Sequence, residues 1–294
     1  MAVSIADGTD AVMTPARDIK LLLTDVDGTL VTHDKVLTPA ARGAAADLRQ
    51  SGVQLALTSA RPPRGMRMLI EPLRLDLPLA GFNGGLITDT HLKALESHPI
   101  APVAGEAAIE LLKGAGLDIW IYTDADWFVS ATDGPHVARE SWITKIDPMP
   151  MPTAADRQLG RVFKIVGVSD DHPKLAAAGV ATHRRLDGVA SVSQSEAAFL
   201  DITDVEANKG FVVHSLARRL GLTAAQIATI GDMPNDILMF RESGYSIAMG
   251  NASDEVKSNA DAVTDSNEDE GFAKAVDRFL LAANAFAGED RGAP

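Results

Sequence analysis

Two aspartates, Asp25 and Asp27, sit at the end of the apolar run in "LLLTDVDGTL", residues 21–30. An unbroken apolar run of this kind reads as a buried strand. Side chains two residues apart on a strand share a face, roughly 7 Å from each other. Two carboxylates at that spacing repel by about 2–3 kcal/mol at an effective dielectric of roughly 20. A core strand that ends this way needs a cation to offset the repulsion.

Other residues of a consistent kind fall where further strands should end. "VQLALTSA" runs into Thr58, Ser59, Ala60 and Arg61, and "IATIGDMPND" into Asp232, Asn235 and Asp236. Lys209 and Gly210 stand where a long inserted segment returns. Carboxylates, a hydroxyl and a lysine, with neither Cys nor paired His, form a hard-oxygen set suited to Mg²⁺. Mg²⁺ keeps several waters and is commonly completed by a substrate phosphate. The lysine and hydroxyl would then hold the remaining phosphate oxygens. Such a group is equipped for phosphoryl transfer, in which positioning and charge neutralisation do most of the catalysis.

The surrounding pattern supplies elements to position these groups. "IKLLLTDV" reads as a strand and "LTPAARGAAADLRQSG" as a helix. Thr38 is its N-cap, Pro39 its first residue, and Gly52 is placed to end it. "VQLALTSA" is a second strand, "RGMRMLIEPLRL" a helix, and "PLAGFNGGLI" a strand and turn. This alternation predicts an α/β fold with a doubly wound parallel sheet, whose ligands sit beyond the carboxyl ends of the strands.

The pattern loosens after Gly85. "LDIWIYT", "WFVSAT", "RVFKIVGVS" and "VASVSQSEAAFLDIT" are separate strand candidates, with helices at "APVAGEAAIELLKGAG" and "HPKLAAAGVATHRR". We expect a large α+β cap inserted over residues 86–203. Regular alternation resumes near Asp204, so the core comprises 18–85 and 204–281, with hinges near Gly84-Gly85 and 203–206. "KGFVVHSLARRLGL" is a helix ending at Gly221, and "TAAQIATIGD" opens with a capping-box pattern, Thr223 to Gln226. Residues 1–17 read as a flexible leader and 282–294 as a frayed tail.

"DVDGTL", "SAR", "NKG" and "GDMPND", in that order, resemble the motifs of the haloacid dehalogenase-like phosphatases. The likeness is to the Cof-type branch, which carries a large α/β cap between its second and third motifs. "GFNGGLITD" and "SIAMGNASDEVKSNADAVTDSNEDEG" resemble that branch too, whereas the cap itself matches weakly. The resemblance implies roles. Asp25 would be the nucleophile that forms an aspartyl-phosphate, and Asp27 the general acid and then base, its backbone carbonyl also reaching the metal. Ser59 would hydrogen-bond the phosphoryl group, and Lys209 would neutralise it and Asp25. Asp232 would be the side-chain Mg²⁺ ligand, with Asp236 supporting it, so that the metal set is Asp25, Asp27, Asp232 and Asp236. Gly28, Thr29, Arg61, Asn83, Gly84 and Asn235 would line the phosphate or substrate. The second motif departs from the family's frequent Thr-Gly-Arg. Neighbours on a strand face opposite sides, so either Thr58 or Ser59 reaches the phosphate, and the distance from Arg61 favours Ser59.

Composition limits what else the chain could be. Its 294 residues suffice for one large domain or two modest ones, and with 46% hydrophobic but only 5% aromatic residues the core must be aliphatic. The net charge of −13 repels nucleic acid and anionic membranes, so no partner of either kind is expected. The absence of cysteine excludes disulfides, thiolate metal sites and cysteine nucleophiles. No apolar run reaches the length of a membrane span, and we read the protein as cytoplasmic. The seven histidines show no metal-ligand pairing. His33 is the one nearest the motif in sequence, and it reads as a surface residue. In the cap, Asp124, Asp126, Trp127 and Phe128 read as a hydrophobic hairpin with a polar turn, or as groups reaching down to a leaving group.

The expected activity is hydrolysis of a small phosphorylated metabolite, by resemblance a sugar phosphate first and a phosphorylated cofactor or precursor next. Alternatives are a phosphotransferase or phosphomutase on the same chemistry, a phospho-receiver-like switch, and a member that only binds phosphate ligands. Oligomeric state is not legible.

Overall fold

The computed structural model describes residues 18–152 and 160–281. The expected leader and tail lie outside the described residues.

The chain enters on strand β1 (Leu21–Thr24), every residue of which is buried. Helix α1 (Pro39–Gln50) follows, capped by Thr38, whose hydroxyl accepts from Ala41 N at 3.1 Å. Strand β2 (Gln54–Thr58) leads through a 3₁₀ turn into α2 (Arg67–Leu73), and β3 (Leu79–Gly81) ends this part. Strands β4 (Leu86–Thr88) and β5 (Ala94–Ser97) then pair antiparallel onto β3 and β4.

The chain next builds a second sheet. Helix α3 (Pro102–Gly114) precedes the hairpin of β6 (Asp118–Thr123) and β7 (Trp127–Val129); then come α4 (Val137–Thr144), the short β8 (Met149–Pro150), β9 (Val162–Val168), α5 (His172–Leu186), β10 (Ala190–Glu196) and β11 (Phe199–Asp204). It returns to the first sheet through α6 (Lys209–Leu220), β12 (Ile227–Gly231), α7 (Ile237–Glu242), β13 (Tyr245–Ala248), α8 (Asp254–Ser258), β14 (Ala262–Val263) and α9 (Gly271–Ala275).

The first sheet runs β14-β13-β12-β1-β2-β3-β4-β5, parallel from β14 to β3. Strand alternation divides its side chains between two layers. Leu22, Leu57 and Ile230 pack under α1 and α9, while Leu21, Leu23 and Ala56 pack under α6 and α7. This is the doubly wound arrangement expected. The passage out of the sheet differs from expectation: Leu86–Thr88 and Ala94–Ser97 belong to the first sheet, so the chain leaves it after Ser97 rather than after Gly85. Local pattern could not show this, because a short antiparallel edge strand reads the same whichever sheet it joins.

The second sheet runs β10-β11-β9-β6-β7-β8 and is antiparallel except between β7 and β8. The expected single strand "VASVSQSEAAFLDIT" is a hairpin, β10 pairing with β11 from Ala190 opposite Asp204 onward. Helices α3 and α5 cover one face through Ala108, Leu112 and Leu175. The other face, with Trp120, Tyr122 and Phe199, meets Phe82 and Leu86 of the first sheet. Phe82 stacks on Phe163 with ring centroids 5.7 Å apart.

Candidate active site

Three neighbouring strands, β12, β1 and β2, set the site. Thr24 lies opposite Ile230 on one side and Leu57 on the other, so the three carboxyl ends are level. The residues just beyond them, Asp232, Asp25 and Ser59, therefore converge. Lys209 is the first residue of α6, whose N-cap Asn208 accepts from Phe211 N at 2.9 Å.

Lys209 Nζ lies 2.5 Å from Asp25 Oδ1 and 2.5 Å from Asp236 Oδ1, all three side chains being buried. Asp236 Oδ2 accepts from the backbone N–H of Asp232 and of Met233, each at 2.9 Å. Both Asp236 oxygens are thus engaged in holding the lysine and the "GDMPND" turn. Asp232 accepts from Thr29 Oγ1 at 3.1 Å and from Asn251 Nδ2 at 3.2 Å, and the same Asn251 amide donates to Gly28 O at 2.9 Å. Gly28 has φ +78°, and a Cβ there would stand 2.3 Å from Asp232 Oδ2. Glycine is the residue that both the left-handed backbone and the close carboxylate require.

One oxygen from each of Asp25, Asp232 and Asp236 lies within 4.8 Å of the others. Burial pushes Asp25 up to about 7, with Lys209 opposing and the Asp236 charge adding to the rise. Burial pushes Asp232 up to about 8, helped by the charges of Asp25 and Asp236. For Lys209 burial works against the charge, but the two aspartates outweigh it and hold the ammonium protonated. One buried lysine does not balance these carboxylates. An oxygen-only donor set with surplus negative charge fits a hard divalent cation.

Asp27 faces elsewhere. Arg61 clamps it through Nε to Oδ2 and Nη2 to Oδ1, both 2.6 Å, and Lys35 Nζ lies 2.7 Å from Oδ1. Burial would raise this carboxyl, yet the hydrogen bonds and charge of Arg61, then those of Lys35, bring it down to about 2. Arg61 Nη1 also donates to Gly65 O at 3.2 Å and to Ile143 O, on α4, at 3.3 Å.

A cavity of about 100 Å³ lies between these groups and the second sheet. Its walls include Asp25, Asp27, Ser59, Arg61 and Asn235 from one side and Trp120, Tyr122, Glu140, Lys164 and Phe199 from the other. Ser59 lines it, its Oγ accepting from Arg61 N at 3.1 Å. Thr58 is wholly buried, and its hydroxyl has no hydrogen-bond partner among the described residues. Asn83, at φ 57°, accepts from Asn235 Nδ2 at 3.1 Å. Gly84 packs instead against Asn208 and Val212 of α6.

The hairpin turn in the second sheet does not reach the cavity. Asp124 pairs with Arg161 at 3.1 Å, Asp126 closes the turn with Thr123, and Trp127 is fully buried. Trp120 and Tyr122, earlier on the same hairpin, line the cavity instead. His33 meets Glu268 through its backbone N–H.

Asn251 lies in "SIAMGNASDE", a stretch whose resemblance to the family is a usable signal. Nothing local in the sequence marks Lys35, Tyr122, Glu140 or Lys164, which reach the cavity only through chain packing.

Comparison with known proteins shows what the whole chain is similar to. The sequence model of the haloacid dehalogenase-like hydrolases matches residues 22–276. A 5-amino-6-(5-phospho-D-ribitylamino)uracil phosphatase of Bacillus subtilis is 27% identical over 288 residues, covering 89% of this chain and 98% of its own. A pyridoxal phosphate phosphatase of Escherichia coli is 29% identical over 272 residues, covering 89% of this chain and 99% of its own. A haloacid dehalogenase-like hydrolase of Bacteroides thetaiotaomicron, known from its crystal structure, superposes with a TM-score of 0.79 at 28% identity, over 89% of this chain and 100% of that one. With most of its length matched, from β1 to the last helix of the first sheet, the chain belongs to the haloacid dehalogenase-like hydrolases.

Proposed function

We propose that the protein is a Mg²⁺-dependent phosphatase that hydrolyses a small phosphomonoester through an aspartyl-phosphate on Asp25. One observation carries this reading: Asp25 ends the central strand, buried, with Lys209 on one oxygen and Asp232 close by. Asp25 and Asp232, with the backbone carbonyl of Asp27, would hold the ion. When bound, it would neutralise negative charge on the carboxylates and on the phosphoryl oxygens.

The rest falls to the chain's own side chains. Lys209 opposes the rise that burial imposes on Asp25 and offsets charge on the transferring group. Ser59 Oγ fixes a phosphoryl oxygen. Asp25 attacks phosphorus and the leaving oxygen departs with a proton from Asp27, which later takes a proton from the attacking water. Asp27 carries a proton only when its clamp loosens. Among the described residues Lys35 meets Asp27 through one contact, whereas Arg61 is also tied to Gly65 and Ile143. Asp236 supports Lys209 and the turn rather than the ion.

The substrate class supported by the relatives' names is a phosphorylated cofactor or precursor, with sugar phosphates the alternative. The test is inorganic phosphate release from a panel of phosphorylated metabolites, with Mg²⁺ and with chelator, for the wild type and Asp25→Asn. Mg²⁺-dependent release that Asp25→Asn abolishes supports the reading. Transfer to an added sugar hydroxyl without phosphate release would point to the phosphotransferase alternative.

A further inference from the structure

The turn that carries Lys35 departs from a local rule. Thr32 and Val36 pair across it: Thr32 O accepts from Lys35 N at 2.8 Å, and Val36 O accepts from Thr32 N at 3.1 Å. Lys35 itself sits at φ 59°, in the left-handed region. Turns of this form favour glycine at that place, because a side chain there crowds its own backbone. A lysine stays in such a conformation only where its surroundings over-determine it, and departures of this kind gather at functional sites. Its ammonium lies 2.7 Å from Asp27 Oδ1, with the side chain 15% exposed, and it lines the cavity above Asp25. An ammonium has three donors. Among the described residues Asp27 takes one, which leaves donors for an anionic guest in the cavity.

What holds the turn comes from a distant part of the chain. The segment "NEDE", residues 267–270, makes a 3₁₀ turn over Asn267–Asp269 and ends at Glu270, itself at φ 58°. Three of its side chains reach the loop after β1. Asn267 Nδ2 donates to Val31 O at 3.0 Å, Glu268 Oε1 accepts from His33 N at 2.5 Å, and Glu270 Oε2 accepts from Thr38 Oγ1 at 2.6 Å. Positions 31, 33 and 38 bracket Lys35. The segment is also tied to the site, since Asn267 N donates to Asn251 Oδ1 at 3.1 Å and Asn251 donates to Asp232. Asn267, Glu268 and Glu270 do not line the cavity, so they reach it only through what they hold. Two carboxylates beside a site for an anion would by their charge alone repel it. Their hydrogen bonds to the loop give them a different task.

We propose that Lys35 binds the anionic group of the substrate in the cavity, and that Asn267, Glu268 and Glu270 are positioning residues that brace its turn. This rests on the phosphatase reading above and adds to it a further cation for the substrate and the segment that aims it.

The test is steady-state phosphate release by the Mg²⁺-supplemented full chain from acetyl phosphate and p-nitrophenyl phosphate, with melting temperatures to establish that each variant is folded. Lys35→Met should raise KM about tenfold, the scale of one net hydrogen bond to a charged group. Glu268→Ala should raise KM about threefold, and Asn267→Ala/Glu268→Ala about tenfold. Glu268→Gln keeps the accepting oxygen and loses the charge, so it should stay within about twofold of wild type. In a Lys35→Met background the double brace variant should add less than about twofold, because the residue it acts through is gone. A Glu268→Gln variant that departs from wild type as far as Glu268→Ala, in either direction, overturns the proposal. So does a wild-type KM in Lys35→Met, or a brace effect that persists in full without Lys35. Should the double brace variant not fold, Glu268→Ala against Glu268→Gln, with and without Lys35→Met, carries the same comparison. A wild type that releases no phosphate from either compound sinks the phosphatase reading itself, a different result.

Discussion

Arg61 grips Asp27 through two parallel hydrogen bonds of 2.6 Å and, with a third nitrogen, reaches the backbone carbonyl of Ile143 in the second sheet's helix α4. One guanidinium therefore ties the proposed acid–base residue to helix α4. Arg61→Met should lower kcat about 100-fold, the usual scale for general acid–base catalysis. The planar fork is what makes this pairing, so Arg61→Lys should restore little. Steady-state kinetics on both variants checks this, and a wild-type kcat in Arg61→Met would refute it.

The same pair has a signature in acid. Asp27 is held at about 2, below its ordinary 3.8, so its contribution to stability is full above about pH 4 and is lost as pH falls toward 2. Arg61→Met should flatten the wild type's fall in melting temperature over that interval. Thermal melts across the range, wild type against variant, decide it; parallel curves would count against the clamp.

Asp25 and Asp232 predict the opposite slope in the metal-free protein. Their folded values of about 7 and 8 exceed the ordinary 3.8, so the folded state holds protons the unfolded chain has released. That stabilisation is full below about pH 4 and is lost as pH rises through 7 to 8. Melts in EDTA should therefore fall over about pH 5 to 9. Mg²⁺, binding only the folded state, should stabilise most at the alkaline end. A profile indifferent to Mg²⁺ at every pH would remove the metal from the scheme.

Asp236→Asn should destabilise the protein by about 3 kcal/mol, since it takes one buried anion from Lys209 and disturbs the acceptor for two backbone amides. Denaturant titration reads this directly. A loss of activity with no loss of stability would instead favour Asp236 as a metal ligand.

Gly28→Ala should lose most Mg²⁺-dependent activity while the fold survives. The new Cβ would meet Asp232 Oδ2 at 2.3 Å in a backbone region alanine seldom adopts. Mg²⁺ titration followed by melting temperature should show weakened binding; unaltered binding would show that Asp232 has room to move.

The parallel strands of the first sheet, and the polar residues just beyond them, are legible in the residues alone. Buried parallel strands appear as continuous apolar runs, and "LLLT", "QLALT" and "IATIG" each end at a polar residue the site uses. Motif spacing also singled out Asp25, Ser59, Lys209 and Asp232, because each lies beside a strand end or helix start fixed by local pattern. Tertiary structure decided the rest. Strands β4 and β5 joined the first sheet through pairing that no local pattern encodes. Asp27 turned to Arg61 and Lys35 because side chains 8 and 34 residues away packed beside it. Lys164 and Trp120 came to face Asp25 only when one sheet was laid over the other. Local sequence specifies what a strand end carries, whereas what stands opposite it depends on contacts between distant segments, whose pairing is set by packing of the whole chain.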